Sequence, residues 1–155
     1  MRGKKAKIRK QKVDRKYNNP LIARLTAKVM QDGKKVLAES TVYYAIENGA
    51  KKVNVDVEEF VHKAVDNVRP ALELRARRVG GANYQVPIPV TPIRQETLAV
   101  RWIVDYARSK SGKSFEEILM EELINAYKGE GEAVKKKNDV ERMAEANKAF
   151  AHFRW

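Results

Sequence analysis

The chain has no cysteine and only two histidines in 155 residues. Without cysteine there are no disulfides and no thiolate metal sites, which fits a reducing, intracellular compartment. His62 and His152 stand 90 residues apart, with no third metal ligand at a recognisable spacing from either. No apolar run approaches the roughly 20 residues that a membrane span needs. The P-loop, the GxSxG elbow and the Rossmann glycine pattern are all missing. The acidic pairs Glu58-Glu59, Glu116-Glu117 and Glu121-Glu122 read as first-turn or polar-face residues that complement helix dipoles, not as catalytic dyads. No enzyme, metal or cofactor is therefore expected. The basic amino-terminal stretch is not followed by an apolar segment, so it does not read as a secretory signal, and its lack of serine argues against a transit peptide.

What the chain has instead is positive charge. The net charge is +12, the isoelectric point is near 9.9, and charged residues make up 34% against a typical value of about 25%. This balance favours a polyanionic partner. Residues 1–16 hold nine Lys or Arg and one acid, Asp14, so a segment of that length carries +8 and the other 139 residues only +4. The segment has no periodicity and no aromatic until Tyr17, and is expected to be a disordered basic arm when alone. Within it Arg2, Lys4, Lys5, Lys7, Arg9, Lys10 and Lys12 are candidate phosphate contacts. Nine cations in sixteen residues exceed what solubility requires. They would release counterions from a nucleic acid and make binding strongly salt-dependent.

The remaining chain, residues 17–155, reads as one helical domain, and its 43% hydrophobic content suffices for a core. Asn19-Pro20 marks a helix start, with Ile22, Leu25 and Val29 on one face, and Asp32-Gly33 ends it. A second helix is expected over about 34–48, with Val36, Leu37, Tyr43, Tyr44 and Ile46 as its apolar content and Gly49 as its stop. Asp56 and Glu59 resemble a capping box before Phe60, Ala64 and Val68, and that helix must end before Pro70. Thr91-Pro92 opens a fourth helix with Ile93, Leu98, Trp102 and Tyr106 inward. Ser114 and Glu117 cap a fifth, whose apolar face is Phe115, Ile118, Leu119 and Leu123. Val134, Val140, Met143 and Ala144 suggest a sixth running toward Ala149.

Between the third and fourth helices the period changes to two. Leu72, Leu74 and Ala76 alternate with Glu73, Arg75 and Arg77, and after Gly80-Gly81 so do Tyr84, Val86 and Ile88 with Asn83, Gln85 and Pro87. The segment 71–90 is expected to be a β-hairpin. Pro87 and Pro89 cannot donate ladder hydrogen bonds, so their side must be an unpaired edge. An isolated hairpin is marginal in water, so its base must pack on the helices while the rest projects. Strands of about eight residues reach roughly 25 Å, and Arg75, Arg77 and Arg78 would make a cationic finger. The fold class is therefore mainly α: a six-helix bundle with a protruding two-stranded β-hairpin.

Three further features admit two readings each. Asp32-Gly33-Lys34-Lys35 is a helix corner with surface lysines or a phosphate contact. Lys135-Lys136-Lys137 is a solvated run or a phosphate contact. Phe150, Phe153 and Trp155 around His152 and Arg154 are packing, with core packing favoured for Phe150, or a stacking platform for bases.

The tract Arg75-Ala76-Arg77-Arg78-Val79-Gly80-Gly81-Ala82-Asn83-Tyr84-Gln85-Val86-Pro87 closely resembles the hairpin of the bacterial small-subunit ribosomal protein seven family. Three more tracts resemble it in register: Met30 to Lys35, Leu98 to Trp102, and Ala133 to Trp155. The resemblance implies six helices with a ribbon between the third and fourth. It implies binding to the 3′ major domain of small-subunit ribosomal RNA, nucleation of head assembly, and location in the cytoplasmic ribosome. The hairpin would lie near the exit-site transfer RNA and the messenger RNA exit path, with small-subunit proteins nine and eleven as neighbours. By position, Lys34, Lys35, Arg75, Arg77, Arg78, Arg94 and Arg101 become ribosomal RNA contacts, joined by Lys135 and Lys136. The tip from Arg78 and Val79 through Gly80, Gly81, Ala82 and Asn83 becomes the transfer-RNA-proximal element. Ala76 stands where that family commonly has serine. Glu132 stands in place of a second glycine, which weakens the expectation of a close backbone–phosphate contact there. Composition alone also admits a nucleoid-type or regulatory DNA-binding protein; a nuclease would need a clustered acidic metal site that the sequence does not show.

Overall fold

A computed structural model describes residue 3 and residues 12–153. Local signals set the helix starts. The Asn19 side chain accepts from the Leu21 N–H at 2.8 Å and opens α1, Pro20–Val29, with proline in its first turn. Helix α2, Lys35–Val53, follows the tight corner at Asp32-Gly33 and has no side-chain cap. Asp56 caps α3, Val57–Val68, by accepting from Glu58 N–H at 3.0 Å, and the chain straightens before Pro70. Strands β1, Leu72–Val79, and β2, Ala82–Pro89, form a two-stranded antiparallel ribbon. Helix α4 spans Pro92–Ser109; α5, Phe115–Lys128, is capped by Ser114; α6 spans Glu132–Ala146. A 3₁₀ segment, Lys148–Phe153, ends the described chain.

Helix α5 is the hub of the bundle and packs against α2, α3 and α4. Ile22, Leu25, Ile46, Phe60, Ile103, Leu119 and Leu123 are fully or almost fully buried around it. The expected stripes on α1 and α3 are confirmed: Ile22, Leu25, Val29, Phe60, Ala64 and Val68 all lie inside.

Several expectations are corrected. Gly49 does not stop α2, which runs on to a left-handed Asn54 at φ 60°. It sits mid-helix because the Phe60 ring fills the space of its missing Cβ; an added Cβ would stand 2.8 Å from Phe60 Cε1 and Cζ. Gly49→Ala should therefore destabilise the fold. Overpacking a buried site costs about 1–3 kcal/mol, which exceeds the gain of up to about 1 kcal/mol in helix propensity. A urea titration that shows a raised midpoint would contradict this.

Val36 and Leu37, part of the apolar content expected for α2, lie in its first turn and are 78% and 63% exposed. Tyr44 lies on the outer face of α2 and is exposed. Ile93 is exposed because the buried stripe of α4 starts only at Leu98. Met143 is exposed as well. Helix α6 stops at Ala146, short of Ala149, and Phe150 belongs to the 3₁₀ segment, where it packs on the ribbon outside the core. Glu122 is not on a polar face. It is fully buried, with Lys110 Nζ 2.6 Å from Oε2 and the Ala133 N–H donating to Oε1 at 3.2 Å.

Candidate nucleic-acid interface

The ribbon turns through two residues. Gly80 and Gly81 have φ of 56° and 90°, and the register pairs Val79 with Ala82. Left-handed backbone at both central positions matches the natural twist of a two-residue hairpin. Counting back from that first hydrogen-bonded pair places Pro87 and Pro89, opposite Leu74 and Leu72, at non-hydrogen-bonded positions. The prolines therefore take no donor from the ladder. Nothing comes within 4 Å of a Cβ built on either tip glycine, so the tip is open.

The two faces of the ribbon differ. Glu73–Ile88, Arg75–Val86 and Arg77–Tyr84 share one face. The 3₁₀ segment rests on that face, with the rings of Phe150 and Phe153 at 5.0 and 5.2 Å from Tyr84. Arg78, paired with Asn83, is on the opposite face next to the tip. Arg75 and Arg78 are exposed and Arg77 is half-buried, so the finger presents cations on both sides.

Glu73 organises the base. It receives Arg94 through two bonds, Nε at 3.1 Å and Nη2 at 3.2 Å, and Arg75 Nε stands 3.7 Å away. The guanidinium of Arg94 holds the Glu73 carboxyl below its ordinary range, and the same pair raises Arg94. A second such unit lies beside it in sequence: Glu96 receives Arg24 at 2.5 Å and Arg69 at 2.9 Å, and Arg69 also pairs with Asp66. Together these pairs tie α1, the α3–β1 connection and the first turns of α4. The structure thus brings Arg75 and Arg94 to one acid. Arg101, two turns beyond Arg94 on α4, is exposed.

The other predicted lysines lie elsewhere. Lys34 and Lys35 sit at the α1–α2 corner, exposed, with Asp32 3.9 Å from the first and Glu39 3.2 Å from the second. On α6, Lys135 stands 3.9 Å from Glu132, Lys136 is half-exposed, and Lys137 instead donates to the Asn67 carbonyl near the end of α3 at 3.1 Å. Arg108 similarly donates to the Lys28 and Val29 carbonyls at the end of α1, at 3.2 and 3.1 Å. Sequence reasoning missed these basic caps, because their partners are 70 to 80 residues away. The Ala133 N–H, in the turn where Glu132 had weakened the case for phosphate, is bound by Glu122.

Arg2, Lys4, Lys5, Lys7, Arg9 and Lys10 lie outside the described residues; Lys12 is exposed. The stretch after Lys12 is tied down. Asp14, 6% exposed, accepts from the Lys16 and Tyr17 N–H groups, both at 3.0 Å, and from the Tyr43 hydroxyl at 2.7 Å. Glu47 accepts from Lys16 Nζ at 2.6 Å and from Tyr17 Oη at 2.9 Å. Burial pushes Asp14 up, but these hydrogen bonds outweigh it and leave its carboxyl low. Burial and the bond to Asp14 push the Tyr43 hydroxyl up to about 12; burial and Glu47 raise Tyr17 further.

The linkage has a defined sign. Between pH about 10, where a free tyrosine ionises, and about 12 the unfolded chain loses the Tyr43 proton while the folded one keeps it, so stability falls as pH rises. The low Asp14 carboxyl contributes stability above the ordinary aspartate range that is lost as pH drops through its lowered value. The stability advantage of wild type over Tyr43→Phe should narrow from pH 10 to 12 in chemical unfolding; a constant gap would show that the pair is not coupled to folding.

Among the described residues no group of three or more His, Asp or Glu could hold a metal. His62 Nε2 is 3.1 Å from Asn19 Nδ2, and His152 Nδ1 is 2.8 Å from the Ala149 carbonyl. Among the described residues no helix is long and apolar enough to cross a membrane.

Residues 1–148 match the family described as ribosomal protein S7p/S5e. The chain belongs to the ribosomal protein S7p/S5e family. RNA binding is general to this family, and its member here is a ribosomal protein of the small subunit. It is 54% identical to small ribosomal subunit protein uS7 of Thermosipho africanus over 155 residues, all of both chains. It is 51% identical to the protein of that name from Magnetococcus marinus, over 92% of this chain and 91% of the relative. A third relative of that name, from Cutibacterium acnes, is 48% identical over 143 residues.

Proposed function

We propose that this S7p/S5e protein binds the 3′ major domain of small-subunit ribosomal RNA directly and nucleates assembly of the subunit head. It has no catalytic role and no cofactor. The observation that carries the reading is the ribbon: an arginine-bearing finger with an open Gly80-Gly81 tip, latched to the bundle by Arg94–Glu73. Exposed Arg75 and Arg78, with Arg101, Lys34, Lys35, Lys135 and Lys136, supply phosphate contacts. Arg94 contributes through its shared acid, and Arg77 from the covered face. The tip, Arg78 to Asn83, reaches toward exit-site transfer RNA and the messenger RNA exit path. Small-subunit proteins nine and eleven are its protein neighbours.

The test is footprinting on full-length small-subunit ribosomal RNA with wild type and Arg75→Ala/Arg78→Ala. Loss of two phosphate contacts should flatten the salt slope by about 2 with the melting temperature unchanged. Protection outside the 3′ major domain, or a melting loss with normal binding, would refute the assignment. Duplex DNA should compete poorly, since a ribbon and a basic segment suit irregular RNA better than a regular groove.

A further inference from the structure

The first helix corner and the start of α5 enclose an open groove of about 440 Å³, away from the ribbon. Its apolar walls are Val29, Leu37 and Phe115. Leu37 is 63% exposed, and Phe115 is half-buried against the core directly after the Ser114 cap, so its ring is held in place. Lys34 and Arg108 bring positive charge to the lining, and the backbone carbonyls of Lys28 and Val29 anchor the Arg108 guanidinium. Gln31 and Thr41 add neutral donors and acceptors.

We propose that this groove takes one unstacked base of the bound RNA. The inference rests on the RNA-binding reading above. An aromatic ring and an exposed leucine lining one groove give an apolar slot for a base, with the adjoining phosphate on Lys34; recognition of splayed bases by aromatic side chains is a common RNA-binding mode. Asp32, 3.9 Å from Lys34 Nζ, also lines the groove. A carboxylate repels a phosphate but accepts from the exocyclic amine of a base, so the occupant is the base and the phosphate stays at the lysine rim. This also gives the exposure of Leu37 a use that the bundle core does not.

The experiment uses the full chain on full-length small-subunit ribosomal RNA, with Phe115→Leu and Leu37→Ser as separate variants. Bases are probed with dimethyl sulfate and the backbone with hydroxyl radicals. Each variant should lower affinity about tenfold with an unchanged salt slope. At least one base protected by wild type should regain reactivity while its backbone protection persists. Leu37 is exposed, so its variant should melt as wild type does and keeps the test valid if Phe115→Leu is unstable. Unchanged base reactivity and affinity in Leu37→Ser would overturn the proposal and leave the groove to a protein neighbour. Failure of wild type to protect the RNA at all would instead refute the binding reading itself.

Discussion

Deleting residues 2–12 should remove about half of the salt dependence of RNA binding while leaving the fold intact. The deletion takes out seven cations, Arg2, Lys4, Lys5, Lys7, Arg9, Lys10 and Lys12. Each phosphate neutralised contributes about 0.7 to 0.9 to the slope of log affinity against log salt. If all seven engage, the slope flattens by about 5 to 6. The ratio of wild-type to truncated affinity should then fall by about a thousandfold between 50 and 200 mM salt. The truncation must stop at Lys12, because the next residues belong to the body: Asp14 takes the Tyr43 hydroxyl, and Lys16 takes Glu47. Removing residues through 16 would mix an electrostatic effect with a folding one. Filter binding across a salt series reads the slope, and thermal melting checks the fold. An unchanged slope would assign the affinity to the folded face.

The fold was legible where its determinants are local. Asn19-Pro20, Asp56 and Ser114 announce helix starts within three residues of the N–H groups they bind. Gly80-Gly81 announces a turn between two period-two runs, and the observed register follows from it. Sequence periodicity fails where the partner is remote. Gly49 reads as a stop until Phe60 is placed against it. Val36 and Leu37 belong to the apolar content of α2, yet they face solvent in its first turn. Among candidate contacts, a single sequence cannot separate cations that face solvent from those that cap helices. Arg75 and Arg78 are exposed, whereas Lys137 and Arg108 are bound to carbonyls of other helices, and Arg94 is held by an acid 21 residues before it. Charge counts locate the basic amino-terminal segment, but the division of labour on the body emerges only from the pairing.

Glu122→Ala should destabilise the body strongly while leaving the surface charge pattern nearly untouched. The side chain is 0% exposed and does two things at once. It binds Lys110 at 2.6 Å, and its other oxygen takes the Ala133 N–H at 3.2 Å, in the first turn of α6. That turn has no side-chain cap of its own, because its N-cap is Gly131 at φ 92°. A side chain there would strain the backbone and bring Cβ to 3.0 Å from Asn125 Cβ and 3.2 Å from Glu122 Oε1. Glu122 therefore caps α6 from α5. Breaking a buried ion pair costs about 3–5 kcal/mol when the orphaned charge stays buried. Lys110 is about one-third exposed and can rehydrate, so its share is smaller. Loss of the cap adds about 1 kcal/mol. The expected total is about 2–4 kcal/mol, or roughly 5–15 °C in melting temperature for a domain of this size. Glu122→Gln keeps an oxygen for Ala133 and should lose about half as much. The first amides of α6 should exchange faster in both variants, with the ribbon's exchange unchanged. A melting temperature within 2 °C of wild type for Glu122→Ala would show that α6 is held by its apolar contacts alone.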